Sequence, residues 1–168
     1  PVSGSPMDRL PPVSVLLSPA SGGYQTGAAT VSGTASDRGS GLAEVRVWLL
    51  DLTAPASRSF TTSGTASWSR IIEAAEFSDG RVYELRSQAI DKAGNLEAPS
   101  SSASFVFDGA PPTGALKIGD GGLWVTTTSV TLALSAEDKV SGMGPGARMR
   151  FSTDGEAWRD PDPFTSSK

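Results

Sequence analysis

Apolar and polar residues alternate with a period of two along most of this chain, which is the pattern of half-buried β-strands. The clearest run is Val82 to Ile90, where Tyr83, Leu85, Ser87 and Ala89 share one face. Val13, Val15 and Leu17 alternate with Ser14, Leu16 and Ser18, so the first strand is expected to turn its valines inward. Further strands are predicted over Ala29 to Ala35, Val45 to Leu50, Ser59 to Thr62, Ala66 to Ile72 and Ala103 to Phe107, with Trp68 an inward anchor. The longest helix-compatible stretch, Ile71 to Phe77, spans only about two turns. Seven short strands in roughly 95 residues, divided by Gly, Pro and Asp-Gly turns, predict an antiparallel sandwich.

The pattern then starts again. Ala35-Ser36-Asp37-Arg38-Gly39-Ser40-Gly41-Leu42 returns about 100 residues later as Ala136-Glu137-Asp138-Lys139-Val140-Ser141-Gly142-Met143, and Pro11-Pro12-Val13 returns as Pro111-Pro112-Thr113. Two independent marks with nearly one period predict tandem copies: residues 1–10 as a Pro-containing linker, 11–109 as one domain, and 110–168 as the first part of a second. In the second copy, strands are expected at Ala115 to Ile118, Ser129 to Ala136 (Val130, Leu132 and Leu134 inward) and Arg148 to Ser152. An Asp154-Gly155 turn and a return strand with Trp158 follow. The counterparts of Tyr83 to Asn95 and of the Phe105 strand are missing from it. The expectation is that the polypeptide continues past Lys168, with strand donation by a partner chain as the alternative. Between the copies, Pro111 and Pro112 are expected to stiffen the joint.

Composition narrows the chemistry. Neither histidine nor cysteine occurs, which removes Ser-His-Asp and Cys-His catalysis, disulfides and thiolate metal sites. The net charge of −4 and the scattered Lys and Arg argue against nucleic acid. No apolar run reaches the roughly 20 residues of a membrane-spanning helix, so membrane insertion is not expected. Residues 1–9 lack the basic and apolar regions of a signal peptide.

Tyr83, the alternating residues after it and Ala89-Ile90-Asp91-Lys92-Ala93-Gly94-Asn95 resemble the penultimate strand and loop of bacterial immunoglobulin-like repeat modules, related in shape to fibronectin type III. Pro111-Pro112-Thr113-Gly114, Ala136-Glu137-Asp138 with Ser141-Gly142, and Met149-Arg150-Phe151-Ser152 with Asp154-Gly155 and Trp158 are similar to the same modules. The resemblance implies an all-β fold of tandem immunoglobulin-like β-sandwiches, the second incomplete at its C-terminus. It also implies a place among secreted or cell-surface bacterial proteins. There such modules act as non-catalytic spacers or adhesive parts, as glycan- or protein-binding modules, or as accessory domains of secreted hydrolases. Neighbouring modules of the same polypeptide are the first expected partners.

Three candidate sites emerge. The loops after the second and sixth strands meet at one end of such a sandwich, so Asp37, Asp91 and Asn95 are candidate oxygen ligands for calcium, with loop carbonyls completing the shell. The competing reading is conformational: Asp37 and Asp91 accept backbone N–H groups and lock their loops. The same two carboxylates, without recognisable cleft residues, do not make a glycosidase. Trp48, Trp124 and Trp158 are candidate stacking platforms for a glycan, against the ordinary alternative of packing. Tyr83 is expected to make a corner hydrogen bond. Gly119-Asp120-Gly121-Gly122 precedes a strand rather than a helix and is discarded as a phosphate cradle.

Overall fold

The computed structural model describes residues 7–98, 101–119, 121–122 and 124–167. The chain divides into two compact units, Pro1–Gly109 and Ala110–Lys168.

Among the described residues, eight strands build the first unit: β1 (Val13–Ser18), β2 (Tyr24–Gln25), β3 (Ala29–Ser36), β4 (Leu42–Asp51), β5 (Ala56–Thr61), β6 (Ser67–Ile72), β7 (Val82–Asp91) and β8 (Ser102–Phe107). A single 3-10 turn, Ala74–Glu76, is all that comes of the helix-compatible stretch. The strands form a three-stranded sheet of order β1-β3-β6 and a five-stranded sheet of order β2-β8-β7-β4-β5. All pairs are antiparallel except β2 with β8, which run parallel. Both sheets feed one core, with Val31, Trp68 and Ile72 from the first and Val45, Val47, Leu49, Leu85, Phe105 and Phe107 from the second. This is an all-β fold consistent with a β-sandwich.

The core is legible residue by residue on most strands. Tyr83, Leu85, Ser87 and Ala89 are all buried on β7, as are Ala103, Phe105 and Phe107 on β8. Phe77 stacks on Phe107 at 5.0 Å and meets Tyr83 and Phe105 edge-on, closing one end with an aromatic cluster. The Tyr83 hydroxyl accepts the Ser78 backbone N–H at 2.8 Å, which fixes the turn that leads into β7. Trp68 is only 2% exposed, and it fits because β3 faces it with small residues. A Cβ at Gly33 would stand 2.4 Å from the Trp68 ring and 2.0 Å from the Val15 carbonyl oxygen.

On β1 the phase is the reverse of the expectation. Val13, Val15 and Leu17 are exposed, whereas Ser14 is buried and Leu16 packs against the core. The cause is polar. The Glu97 carboxylate, 5% exposed, accepts the Ser14 N–H at 2.7 Å, the Ser14 hydroxyl at 2.6 Å and the Ala89 N–H at 2.9 Å. Ser14 Oγ also lies 2.8 Å from Ser87 Oγ, and the Leu16 N–H donates to Ser101 Oγ at 2.9 Å. The free edge of β1 is thus capped by side chains of the β7–β8 connection, and a serine must face inward to complete the set.

The second unit contains β9 (Thr113–Ile118) paired with β10 (Leu132–Glu137), and β11 (Arg148–Met149) paired with β12 (Asp162–Pro163). Leu132 and Leu134 share a half-buried face of β10, while Val130 lies before the strand and is exposed. Trp158 is exposed and outside any strand. The Asp154-Gly155 turn does form: Asp154 accepts the Glu156 and Ala157 N–H groups, each at 2.9 Å, and Ser152 Oγ accepts that of Gly155 at 2.8 Å. None of the described residues of 110–168 is buried.

Candidate functional site

Asp37 and Asp91 do come together, and they are joined by a residue that the sequence pattern does not single out. One carboxylate oxygen from each of Asp8, Asp37 and Asp91 lies within 4.8 Å of the other two. Asp37 follows β3, Asp91 ends β7, and Asp8 belongs to the lead-in before β1.

Each carboxylate is held by its own loop. Asp37 Oδ2 accepts the N–H groups of Gly39 at 2.9 Å and Gly41 at 2.7 Å, and Gly41 has the positive φ of 86° that lets the loop close. Asp91, 2% exposed, accepts the Asn95 N–H at 2.8 Å on Oδ1 and the Asn95 side-chain N–H at 2.7 Å on Oδ2. Asp8 accepts the N–H of Leu10 at 3.0 Å and of Ser40 at 2.6 Å. These two backbone donors hold its carboxyl below the usual carboxylate range. The loops are also tied to each other: Lys92 N–H donates to the Gly41 carbonyl at 2.9 Å and Ala93 N–H to Ser40 Oγ at 3.1 Å.

Asn95 presents its amide nitrogen rather than its oxygen to the cluster. Besides Asp91, that nitrogen donates to the carbonyl oxygens of Asp8 at 3.2 Å and Leu10 at 3.5 Å. Its place is therefore beside the carboxylates, orienting Asp91 and the lead-in, and the third carboxylate comes from Asp8.

Two observations test whether a cation suits this cluster. Asp37 Oδ1 is shut off from water and has no hydrogen-bond partner. Among the described residues, none of the three carboxylates has a salt bridge. Three like charges, one of them almost fully buried, with an orphaned acceptor oxygen, suit a hard divalent cation. The repeated signature gives an internal contrast. Asp138 likewise accepts the N–H groups of Val140, Ser141 and Gly142, at 3.0, 2.9 and 3.3 Å. The loop lock is therefore common to both copies, while the carboxylate cluster is found only in the first among the described residues.

Comparison with protein-family models and with characterised proteins finds no match.

Trp48 and Trp124 lie in different units. Trp48 is half-buried on the outer face of the five-stranded sheet, its indole N–H donating to Gln88 Oε1 at 3.1 Å. With Leu50, Ser57, Arg86 and Gln88 it lines a shallow cavity of about 220 Å³. Arg86 there is paired with Glu84 at 2.7 Å. Trp124 is 87% exposed in the second unit. Among the described residues no helix is long and apolar enough to cross a membrane.

Proposed function

We propose that this chain is a non-catalytic structural segment of a larger extracellular or cell-surface bacterial protein. It comprises one immunoglobulin-like sandwich and the first part of another, and the loop end of the first is fastened by a divalent cation of calcium's kind. The strand orders β1-β3-β6 and β2-β8-β7-β4-β5, together with the Tyr83 corner, support the immunoglobulin-like reading. The work is spatial: keeping neighbouring parts of the polypeptide at a set distance.

The observation that carries the cation is the orphaned, water-excluded Asp37 Oδ1 beside Asp8 and Asp91. Bound there, calcium would take these three carboxylates as oxygen ligands and neutralise their repulsion, with water supplying further oxygens. Calcium titration by calorimetry and by thermal unfolding tests this. A cation that binds only the folded state raises the melting temperature in proportion to the logarithm of its concentration above Kd. The first unit is expected to gain several degrees at about 5 mM calcium, above the weak affinities of extracellular modules. Asp37→Asn, which can keep the loop hydrogen bonds through its amide oxygen, is expected to abolish the gain. An unshifted wild-type transition would leave the hydrogen-bonded loop lock as the whole role of these aspartates.

The rival reading is a glycan- or protein-binding module, and one observation favours it: Trp48 with Arg86 and Gln88 on an open sheet face. Against it, the indole N–H and the guanidinium are already engaged. Glycan-array binding that is lost in Trp48→Ala at unchanged stability would replace the spacer reading.

A further inference from the structure

The outermost strands of the first unit's two sheets are β1, β6, β2 and β5, and only β5 leaves a long edge open. The edge of β1 is taken up by Glu97 and Ser101, and that of β6 by Ser63, which exchanges two backbone bonds with Ser69 at 2.8 and 3.0 Å. β2 is only two residues long. β5 runs for six residues, and its register with β4 is unbroken from Thr61 to Ala56, so no proline, lysine or bulge blocks a further strand. The Thr62 N–H donates to the Val45 carbonyl at 3.1 Å, and the alternation of an antiparallel pair then turns the backbone groups of Phe60, Arg58 and Ala56 toward β4. Those of Ser57, Ser59 and Thr61 point away from β4, and among the described residues no hydrogen bond takes them up. All three residues are exposed.

We infer that β5 is a self-pairing edge: two copies of the chain join through it, antiparallel about a twofold axis at Ser59, and merge their five-stranded sheets. Symmetry selects a second copy as the occupant. The outward groups lie at Ser59 and two residues to either side of it, so this register satisfies the N–H and C=O of Ser57, Ser59 and Thr61 in both copies at once. Charge selects it as well. Ser59 meets itself and Ser57 meets Thr61, so small uncharged side chains face each other. Arg58, the one charge on the strand, falls opposite Phe60 of the second copy. The gap beside Phe60 is lined by Glu73 and Glu76 together with Arg70. Glu76 is already paired with Arg58 of its own chain, but Glu73 has no salt bridge among the described residues. An incoming Arg58 therefore meets a spare carboxylate. The contact needs no ion, and it stands apart from the cation reading above.

Sedimentation velocity of the full 168-residue chain in excess EDTA tests this. A single short edge makes a weak pair, so the wild type is expected to pass from monomer to dimer between about 10 µM and about 1 mM. Ser59→Lys and Ser59→Asp change an exposed side chain at the axis. Each sets like charges against each other there and is expected to weaken dimerisation about tenfold or more. Mixed in equal amounts, the two variants oppose unlike charges, and the dimer is expected to return to within roughly threefold of the wild type. Unchanged melting temperatures show that both variants keep the fold. A wild type that stays monomeric over the whole range overturns the inference and leaves the edge to the strand of another protein or to water. A dimer that neither substitution weakens, or that the mixture does not restore, overturns pairing at Ser59.

Discussion

Replacing Glu97 by Gln tests the account of β1 most severely, because the change is nearly isosteric and alters only which atoms accept. The carboxylate receives two backbone N–H groups, from Ser14 at 2.7 Å and Ala89 at 2.9 Å, on different oxygens. A glutamine has one oxygen. Whichever way the amide is turned, its NH₂ confronts one of the two N–H groups, and a buried donor is left without an acceptor. Such an orphan costs about 1–3 kcal/mol, and the weaker, neutral bonds that remain put the sum at about 2–3 kcal/mol. For a unit of this size that lowers Tm by roughly 10 °C or more, a large part of the 5–15 kcal/mol that holds an ordinary domain together. Urea unfolding followed by the fluorescence of buried Trp68 is the assay, with the midpoint falling at unchanged slope. Ser87→Ala is the control, since it removes only the contact between serine hydroxyls, and it should cost about 1 kcal/mol. A Glu97→Gln protein within about 0.5 kcal/mol of wild type would refute the claim that Glu97 dictates which face of β1 is buried.

Gly33→Ala should destabilise the first unit by about 3 kcal/mol in the same assay, since its Cβ would collide with the Val15 carbonyl as well as the Trp68 ring. Gly41→Val should cost at least about 1 kcal/mol, measured as a Tm shift, because Gly41 has a φ of 86°. Asp154 is held at about 2 by the Ala157 and Glu156 N–H groups and the Ser152 hydroxyl. Its folded value lies below the unfolded one, so the order it lends its turn is full above about pH 4 and is lost as pH falls through about 2. An NMR titration should place its midpoint near 2, and a midpoint near 4 would show that the turn does not hold the carboxylate.

Where strand pattern and tertiary burial agree, the fold could be read directly from the residues. On β7 and β8 the apolar alternation marks the core face because both strands lie within the five-stranded sheet, and packing alone decides their phase. On β1 it does not, because the deciding partner is Glu97, 83 residues away in sequence, and no local period reveals it. β2 is two residues long and too short to show a period at all. Asp37 and Asp91 could be paired from topology, since both follow strands that end on the same side. Asp8 was hidden because it sits in a Pro-containing lead-in without strand alternation. The available signal was its place as the first carboxylate upstream of β1, on a chain that must pass the two loops to enter the sandwich. In the second unit, the alternation of Leu132 and Leu134 marked a face that remains only half-buried.

The parallel pairing of β2 with β8 has a mechanical meaning. β2, the second strand of the first unit, and β8, its last described strand, run side by side. Their bonding extends from the Gly22 N–H on the Ser104 carbonyl at 2.6 Å to the Asp108 N–H on the Gln25 carbonyl at 2.9 Å. Tension applied at the N-terminal end of β2 and the C-terminal end of β8 would pull the pair along its length in opposite directions. The bonds between them are then loaded together, in shear, rather than unzipped one after another as in a hairpin pulled from its open end. The shortest described strand of the first unit is thus held by bonds that share a load applied along the pair.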